Sequence, residues 1–488
     1  MRPPAKFALL FALSVSASLS TGCVELQLIF GPGGLFGPGG SSAGSGTTGT
    51  GGVSTTQPAA VPGPLFFARQ LDPVLESTAG ARVIVPADLN NDGLIDFVSG
   101  SAESQPVQIH LRTPGTDNYN TLSIAGEVPI SIMYDVQVAD FDQDGRLDIA
   151  VLVNNTGIIP VAGAVKRGAV VLLFAPPDPA DAIAWQQVLI NATFTLPNDA
   201  TGMTDFAVGD MDGQNGPDVV LGSNEVASGN NAAKRIYLFR NPGPGTARSS
   251  AAWLGPDNTT TFPIITEAPP FKQLELADID QDGDLDVVAT FPTALSSNIR
   301  WLINPLAESG AAAVAAGNWT GNIIGEQRQL SPPDDAQTPG ADFVSVGDID
   351  GDGDIDVVSG FQQLRVIQWF ENPGPGLVRL QGFPWRVYNL GELNQGASMN
   401  QVQVVDLNLD GRLDCFVTAN GNMVGFQPRT DVQDYWQPFT ITGTNPVANI
   451  GRCAFADINA DGLLDIVAPL DRDGITLDQF LILQRLTP

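Results

Sequence analysis

The 488-residue chain carries 53 acidic against 23 basic side chains and one histidine, for a formal net charge of −30. That balance leaves no electrostatic case for nucleic acid, and one histidine excludes Cys/His zinc centres and His-rich metal sites. No Walker loop and no G-x-S-x-G elbow is present, so the phosphate-binding and acyl-transfer chemistries that those motifs serve have no visible seat.

The first 22 residues read as an address. Arg2 and Lys6 precede the apolar run Phe7–Leu19, which is short of the about 20 residues that span a bilayer but suits a signal-peptide core. Ser20-Thr-Gly-Cys23 follows and resembles a bacterial lipobox, departing from it at Ser20, where Leu or Val is usual. The resemblance implies lipidation at Cys23 and an exported, outer-membrane-anchored lipoprotein, periplasmic or cell-surface; the alternative is an ordinary secretory signal cut nearby. Residues 23–64 are dominated by Gly, Pro, Ser and Thr. They cannot bury enough apolar surface to offset their ordering entropy, and as a flexible tether they would reach roughly 30 Å.

From residue 65 to 488 the texture is uniform: short Val/Ile-rich alternating runs bounded by turn residues, with helical periodicity almost absent, which is an all-β pattern. One stretch recurs, D-x-[DN]-x-D-G-x-x-D, with first aspartates at 88, 140, 278, 348, 406 and 457 and a degenerate copy at 210, a period of about 60 residues with insertions. Each copy is followed by a strand-like run, as in Asp356-Val-Val-Ser, so the stretch is a loop joining two strands and not the helix-flanked twelve-residue calcium loop.

Carboxylates at positions 1, 3, 5 and 9 of a tight loop, with glycine at position 6, suit a hard cation that takes six to eight oxygens. The expected side-chain ligands in the first two loops are Asp88, Asn90, Asp92 and Asp96, then Asp140, Asp142, Asp144 and Asp148. The degenerate third offers Asp210, Asp212, Gln214 and Asp218, with Asn215 at the glycine position, and is expected to be weakest or empty. Loops four and five supply Asp278, Asp280, Asp282 and Asp286, then Asp348, Asp350, Asp352 and Asp356. Loops six and seven supply Asp406, Asn408, Asp410 and Asp414, then Asp457, Asn459, Asp461 and Asp465. Asp and Gly are also ordinary turn residues, but turn preference does not demand a ninth-position carboxylate seven times over. Up to seven calcium ions, one per repeat, are therefore expected.

Each repeat reads as four strands: one before the loop (Phe343–Gly347), one after it, a third such as Val366-Ile-Gln-Trp-Phe-Glu371, and a fourth that often opens with Trp, as at Trp185, Trp319, Trp385 and Trp436. Four antiparallel strands are the size of a propeller blade. The last repeat has room for only three, while Leu65–Leu71 stands alone before the first. An N-terminal strand completing the last blade is the expected ring closure, and it removes open edges.

Asp205-Phe-Ala-Val-Gly-Asp-Met-Asp-Gly with Asp218-Val-Val-Leu-Gly-Ser, and Phe343 to Gly360, resemble FG-GAP repeats, called VCBS repeats in bacterial proteins and found as blades of the integrin alpha-subunit propeller. The resemblance implies a seven-bladed propeller with metal loops between the first two strands of each blade and the carbonyl of position 7 as a further ligand. It also implies a cell-adhesion or binding role toward a protein or glycan partner, carried on the face opposite the loops; a monomer is expected. Length variation singles out Asn154–Arg167 and Ser223–Lys234 as recognition loops. The other function class is a calcium-dependent polysaccharide lyase or hydrolase on a propeller frame, which calls for a compact charged cluster near the axis outside the metal loops. His110 is expected on a third strand in a surface or packing role and not in catalysis, and Cys415 and Cys453 are either a disulfide or two buried thiols.

Overall fold

The computed structural model describes residues 19–20, 23–24, 66–70, 81–101, 106–124, 133–154, 168–190, 203–223, 235–254, 261–265, 271–292, 299–314, 319–325, 340–380, 385–394, 398–419, 421–429, 431–441, 449–471 and 479–485. The signal segment, nearly all of the tether and the two length-variable loops (155–167 and 224–234) lie outside these residues; Leu19–Ser20 pairs with Cys23–Val24 as a short hairpin.

Six sheets of the ring are each built from four strands in chain order, and the seventh takes its outer strand from the N-terminal side. Blade 1 comprises Ala81–Ala87, Asp96–Ser101, Gln108–Arg112 and Tyr119–Ser123; blade 2, Met133–Ala139, Asp148–Asn154, Gly168–Phe174 and Gln186–Leu189. Blade 3 comprises Met203–Gly209, Asp218–Ser223, Arg235–Phe239 and Thr261–Ile265; blade 4, Leu274–Ala277, Asp286–Thr290, Ile299–Ile303 and Thr320–Gly325. Blade 5 comprises Phe343–Gly347, Asp356–Phe361, Val366–Glu371 and Arg386–Glu392; blade 6, Met399–Val405, Asp414–Ala419, Asn422–Gln427 and Gln437–Thr440. Blade 7 opens with Ala454–Ala456, beside the shorter Asn449–Ile450, continues through Asp465–Asp471 and Gln479–Arg485, and takes Phe66–Gln70 as its outer strand. The protein is thus a seven-bladed β-propeller of antiparallel sheets, with helix restricted to single turns such as Pro375–Val378 among the described residues.

The second strands explain why the blades stack. Asp356–Phe361 and Asp414–Ala419 are buried at every position, so neither face is left to water, and side chains that alternate across the pleat must meet two different neighbours. In blade 5, Val357 and Phe370 pack with Val288 and Trp301 of blade 4, whereas Val358 and Trp369 pack with Val402, Cys415 and Phe426 of blade 6. The same alternation joins the two ends of the series: Ile84, Phe97 and Tyr119 of blade 1 share a cluster with Ala454, Val467 and Phe480 of blade 7. Tryptophans mark the entry to the fourth strand, as the sequence leads one to expect. Trp185, Trp385 and Trp436 are buried, and the indole N–H groups of Trp185, Trp319 and Trp436 donate to the carbonyls of Pro179, Val314 and Val432.

His110 is fully buried in the third strand of blade 1, between Ser99 Oγ at 2.8 Å and Thr121 Oγ1 at 2.9 Å. Burial pushes its imidazole down to about 3, so it packs as the neutral form. Cys415 and Cys453 are buried free thiols, which resolves the open choice against a disulfide.

Phe66–Gln70 pairs antiparallel with Gln479–Arg485, from Phe66 opposite Arg485 to Gln70 opposite Leu481. A chain starting at residue 72 would leave Gln479–Arg485 as an unpaired edge. Such a truncation is expected to lower the melting temperature by several degrees and to promote concentration-dependent association; thermal unfolding with light scattering measures both.

Candidate metal centres

Every loop has one local geometry, and hydrogen bonds made by its own carboxylates produce it. In loop 1 the two oxygens of Asp88 accept the N–H groups of Asp92 (3.0 Å) and Gly93 (2.8 Å), and Asp92 accepts that of Leu94 at 2.9 Å. Loops 2, 4, 6 and 7 repeat this: Asp140, Asp278, Asp406 and Asp457 accept from Gly145, Gly283, Gly411 and Gly462 at 2.8–3.0 Å. These turns are native to Asp and Asn side chains. The glycine at position 6 is required by conformation and not by space: Gly93 and Gly283 have φ of +83° and +95°, yet a Cβ would meet nothing within 4 Å. In loop 3, Asn215 takes the same left-handed conformation with φ 63°.

Sequence reasoning missed position 4, which is also left-handed throughout, at Asn91, Gln143, Gly213, Gln281, Gly351, Leu409 and Ala460 with φ between 56° and 78°. For a residue such as Leu409 that conformation costs about 1 kcal/mol, a cost the carboxylate turns must offset.

Position 9 has a structural task the sequence does not advertise. Asp356 is buried; its Oδ2 accepts the N–H of Ile349 at 3.1 Å, and its Oδ1 accepts that of Asn372, the residue after the third strand, at 2.7 Å. Asp96, Asp148, Asp218, Asp286 and Asp465 do the same with Leu89 and Arg112, Phe141 and Ala175, Met211 and Asn241, Ile279 and Asn304, and Ile458 and Arg485. Each ninth aspartate therefore staples its loop to the third strand of its own blade. Blade 6 departs: Pro428 follows its third strand and has no N–H, and Asp414 Oδ1 is left without a hydrogen-bond partner.

Burial raises these carboxyls despite the backbone donors: Asp96 and Asp465 to about 6, Asp148 to about 7, and Asp356 and Asp414 to about 8, with neighbouring aspartates adding to the rise in each case. Such a group is ionised at low cost only beside a cation.

The residue after the third strand also reaches sideways. Asn241, Asn304 and Asn372 donate Nδ2–H to the position-2 carbonyl of the preceding blade's loop (Phe141, Met211 and Ile279, each 2.8 Å) and to position 8 of their own (Pro217, Leu285 and Ile355). Arginines replace them at the chain ends. Arg485 of blade 7 donates to Leu407 O (2.5 Å) and Asn408 O (2.7 Å) of loop 6, and Arg112 of blade 1 donates to Ile458 O of loop 7.

Carboxylate oxygens converge within 4.8 Å of one another in four loops: Asp140, Asp142 and Asp148; Asp210, Asp212 and Asp218; Asp278, Asp280 and Asp282; Asp348, Asp350 and Asp356. The degenerate third loop is among them. Asp144, Asp286 and Asp352 belong to these loops but stand outside the converging triads, and Gln214 is held by its N–H on Asp210 and Asp212. Loops 1, 6 and 7 differ because position 3 is Asn: Asn90, Asn408 and Asn459 turn their NH₂ onto Asp92, Asp410 and Asp461 at 3.0–3.1 Å. An oxygen-only donor set suits a hard divalent cation. Buried oxygens without a hydrogen-bond partner, Asp142 Oδ1, Asp280 Oδ1 and Asp284 Oδ1, show that the residues fit such an ion, because an unpartnered buried carboxylate oxygen is otherwise costly.

A second charged cluster lies where the first strands begin, at the end opposite the loops. Arg452 of blade 7 pairs with Asp135 of blade 2 at 3.4 Å and Asp205 of blade 3 at 3.3 Å, reaching across blades that are not its neighbours. Both aspartates are buried, and burial holds both carboxyls above the ordinary range against the opposing pull of Arg452.

The double role of position 9 separates two kinds of substitution in loop 5. Asp356→Ala orphans two buried N–H groups and is expected to cost about 2–5 kcal/mol with or without metal. Asp350→Asn removes one charge at position 3 and should leave stability in chelator within about 0.5 kcal/mol while weakening metal binding. Denaturant unfolding in chelator and in calcium reads both.

The FG-GAP-like repeat family matches residues 78–151, 348–417 and 406–468. No curated protein matches the sequence. Solved structures similar to the chain include BBS1N in complex with ARL6DN, at 10% identity and TM-score 0.47 over 88% of this chain and 99% of that one. The AfRom2 CNH domain is similar at 10% identity and TM-score 0.45, over 87% and 99%. The Dos1 propeller matches at 11% identity and TM-score 0.43, over 83% and 78%. With the repeated loops in the first turn of each four-stranded sheet, the chain is a seven-bladed β-propeller in which residues 78–151 and 348–468 are FG-GAP-like repeats.

Proposed function

We propose that the protein is an exported, lipid-anchored propeller that binds a protein or glycan at the cell envelope as a binding or adhesion module, with calcium stabilising its blades. The observation that carries the calcium reading is the convergence of carboxylate oxygens, some buried and unpartnered, in loops shaped by their own hydrogen bonds. Repulsion among close carboxylates costs about 1 kcal/mol per pair even in bulk water. A divalent ion relieves it and draws the buried ninth carboxyl into its ionised form. Export and anchoring rest on Arg2, Lys6, the apolar run Phe7–Leu19 and Cys23.

Extracellular calcium modules bind at about 10⁻⁴ to 10⁻³ M, so millimolar calcium stabilises by roughly 0.4 to 1.4 kcal/mol per site. Summed over several loops, the melting temperature is expected to fall by ten degrees or more on chelation, and the purified protein should hold several ions per chain; no bound metal and no shift would reduce the loops to solvated turns. For the anchor, Cys23→Ala is expected to release the protein from the membrane fraction.

One observation favours the enzymatic reading, a calcium-dependent polysaccharide lyase or hydrolase: Asp135, Asp205 and Arg452 form the compact charged cluster outside the metal loops that such an enzyme needs. Depolymerisation of an acidic polysaccharide by the protein, lost on Asp205→Asn with binding retained, would establish it. Binding without turnover by both proteins would leave the cluster a tie between blades.

A further inference from the structure

Two stretches share the pattern Asn-Pro-Gly-Pro-Gly-x-x-Arg: Asn241 to Arg248 in blade 3 and Asn372 to Arg379 in blade 5. Their beginnings are the clamps already described, with Asn241 and Asn372 on the position-2 carbonyls of loops 2 and 4. The glycines then turn the chain, Gly243 and Gly374 at φ +99° and +93°. A helical turn closed by the N–H groups of Ala247 and Val378 on Gly243 O and Gly374 O follows, at 2.8 and 2.9 Å. That turn delivers the arginine to the same preceding loop.

Arg248 donates Nε–H to Asp142 Oδ2 at 2.5 Å and Nη2–H to Asp144 Oδ2 at 3.1 Å, with its guanidinium over the Phe174 ring. Arg379 repeats the pattern with Asp280 Oδ2 and Asp282 Oδ2 and adds Glu308. In both loops the guanidinium takes the Oδ2 atoms of positions 3 and 5. In both, the other oxygen of position 3, Asp142 Oδ1 or Asp280 Oδ1, is buried and without a hydrogen-bond partner, on residues 6% and 4% exposed. A half-exposed arginine thus neutralises part of the cage while a carboxylate oxygen remains open to a cation. Blade 4 has the clamp without the arginine: Asn304 holds Met211 O, and position seven after it is Ala311. Loop 3 has Arg240 of its own blade on Asp212, and in loop 2 Arg146 also pairs with Asp144; of the four converging loops, loop 5 is the bare case, since among the described residues no basic side chain is paired with Asp348, Asp350, Asp352 or Asp356.

We propose that these two segments are inter-blade latches in which Arg248 and Arg379 act as resident counter-ions for the metal loop of the preceding blade, in electrostatic competition with calcium. The inference rests on the calcium reading above and adds a direction to it. Without metal, the arginines hold loops 2 and 4, and with them the seams between blades 2 and 3 and between 4 and 5. With metal, the fixed positive charge weakens calcium at those loops relative to an uncovered cage of the same ligands. The arginines are positioning residues: the pairing fixes which carboxylate oxygen faces the cage.

The test is Arg248→Met, Arg379→Met and the double substitution in the full chain, which keep the aliphatic stems over their packing surfaces. Arg386→Met serves as control for an exposed pair with Glu371. Each protein is titrated with calcium by calorimetry and melted in chelator and in millimolar calcium. In chelator the double variant is expected to melt several degrees below the parent, whereas its calcium-dependent rise should exceed the parent's. Two sites should tighten by about three- to ten-fold, the effect of removing a like charge from the neighbourhood of a cation in a partly screened setting. The loop 5 site, identified by its weakening in Asp350→Asn, should not change. Calcium affinities equal to the parent's would overturn the competition, and weaker ones would mean that the guanidinium assembles the ligands instead; in both cases the calcium reading stands. A parent that binds no calcium would overturn that reading and the competition with it.

Discussion

Folding seven acidic turns into one face requires that like charges be brought together and held, and the group that makes this possible is the buried carboxylate at position 9. One oxygen takes the N–H of the second loop residue and the other takes the N–H that ends the third strand. Both amides would otherwise be buried donors without acceptors, at about 1–3 kcal/mol each. The loop therefore cannot detach from its blade without orphaning backbone groups, and the carboxylates at positions 1, 3 and 5 are carried into place with it. Metal chemistry, where it operates, acts on a shape that hydrogen bonds have already set.

The blades are joined by two different materials. Apolar side chains from the second and third strands interleave with both neighbours, as with Val357 toward blade 4 and Val358 toward blade 6. That packing is non-directional and would tolerate sliding. Register comes from polar groups on the first strands. Gln137 holds Phe206 O and Val208 N of the next blade, Gln401 holds Cys453 O and N, and Ser345 accepts from Val404 N. Leu274 N donates to Asp205 at 2.9 Å, so the aspartate that meets Arg452 is also one of these registers. Buried and satisfied, such groups fix one geometry among many of similar apolar contact.

What was legible in the sequence is what repeats locally. The loops announce themselves because a metal cage and a tight turn both need particular residues at fixed offsets, and the strands follow from alternation on either side; Phe343–Gly347 and Gln479–Arg485 lie where the pattern puts them. The tryptophans at 185, 319, 385 and 436 were readable for the same reason, each standing one residue before a fourth strand. The position at the end of the third strand was not readable. It is Arg, Ala, Asn, Asn, Asn, Pro and Arg in the seven blades, and its task, reaching a carbonyl of the previous blade, leaves no spacing signal because its partner is some 80 to 100 residues away in four blades and at the other end of the chain in blade 1. The Arg452 cluster was invisible on the same ground, since Asp135 and Asp205 look like ordinary strand residues until the ring brings blade 7 near them.

That variable position divides the metal face. Asparagine clamps join blades 2 to 3, 3 to 4 and 4 to 5, and arginine clamps join 6 to 7 and 7 to 1. At the two remaining seams the residue is Ala175, whose side chain carries no donor, and Pro428, which lacks even the backbone donor. The clamps therefore run in two arcs, one of four blades and one of three, and between them the seam of blades 1 and 2 is crossed instead by Asn91, whose Nδ2–H donates to Gly145 O. The strand contributed from the N-terminal side, Phe66–Gln70, lies within the three-blade arc, so the earliest strand of the ring and the latest, Gln479–Arg485, are held in one sheet of that arc.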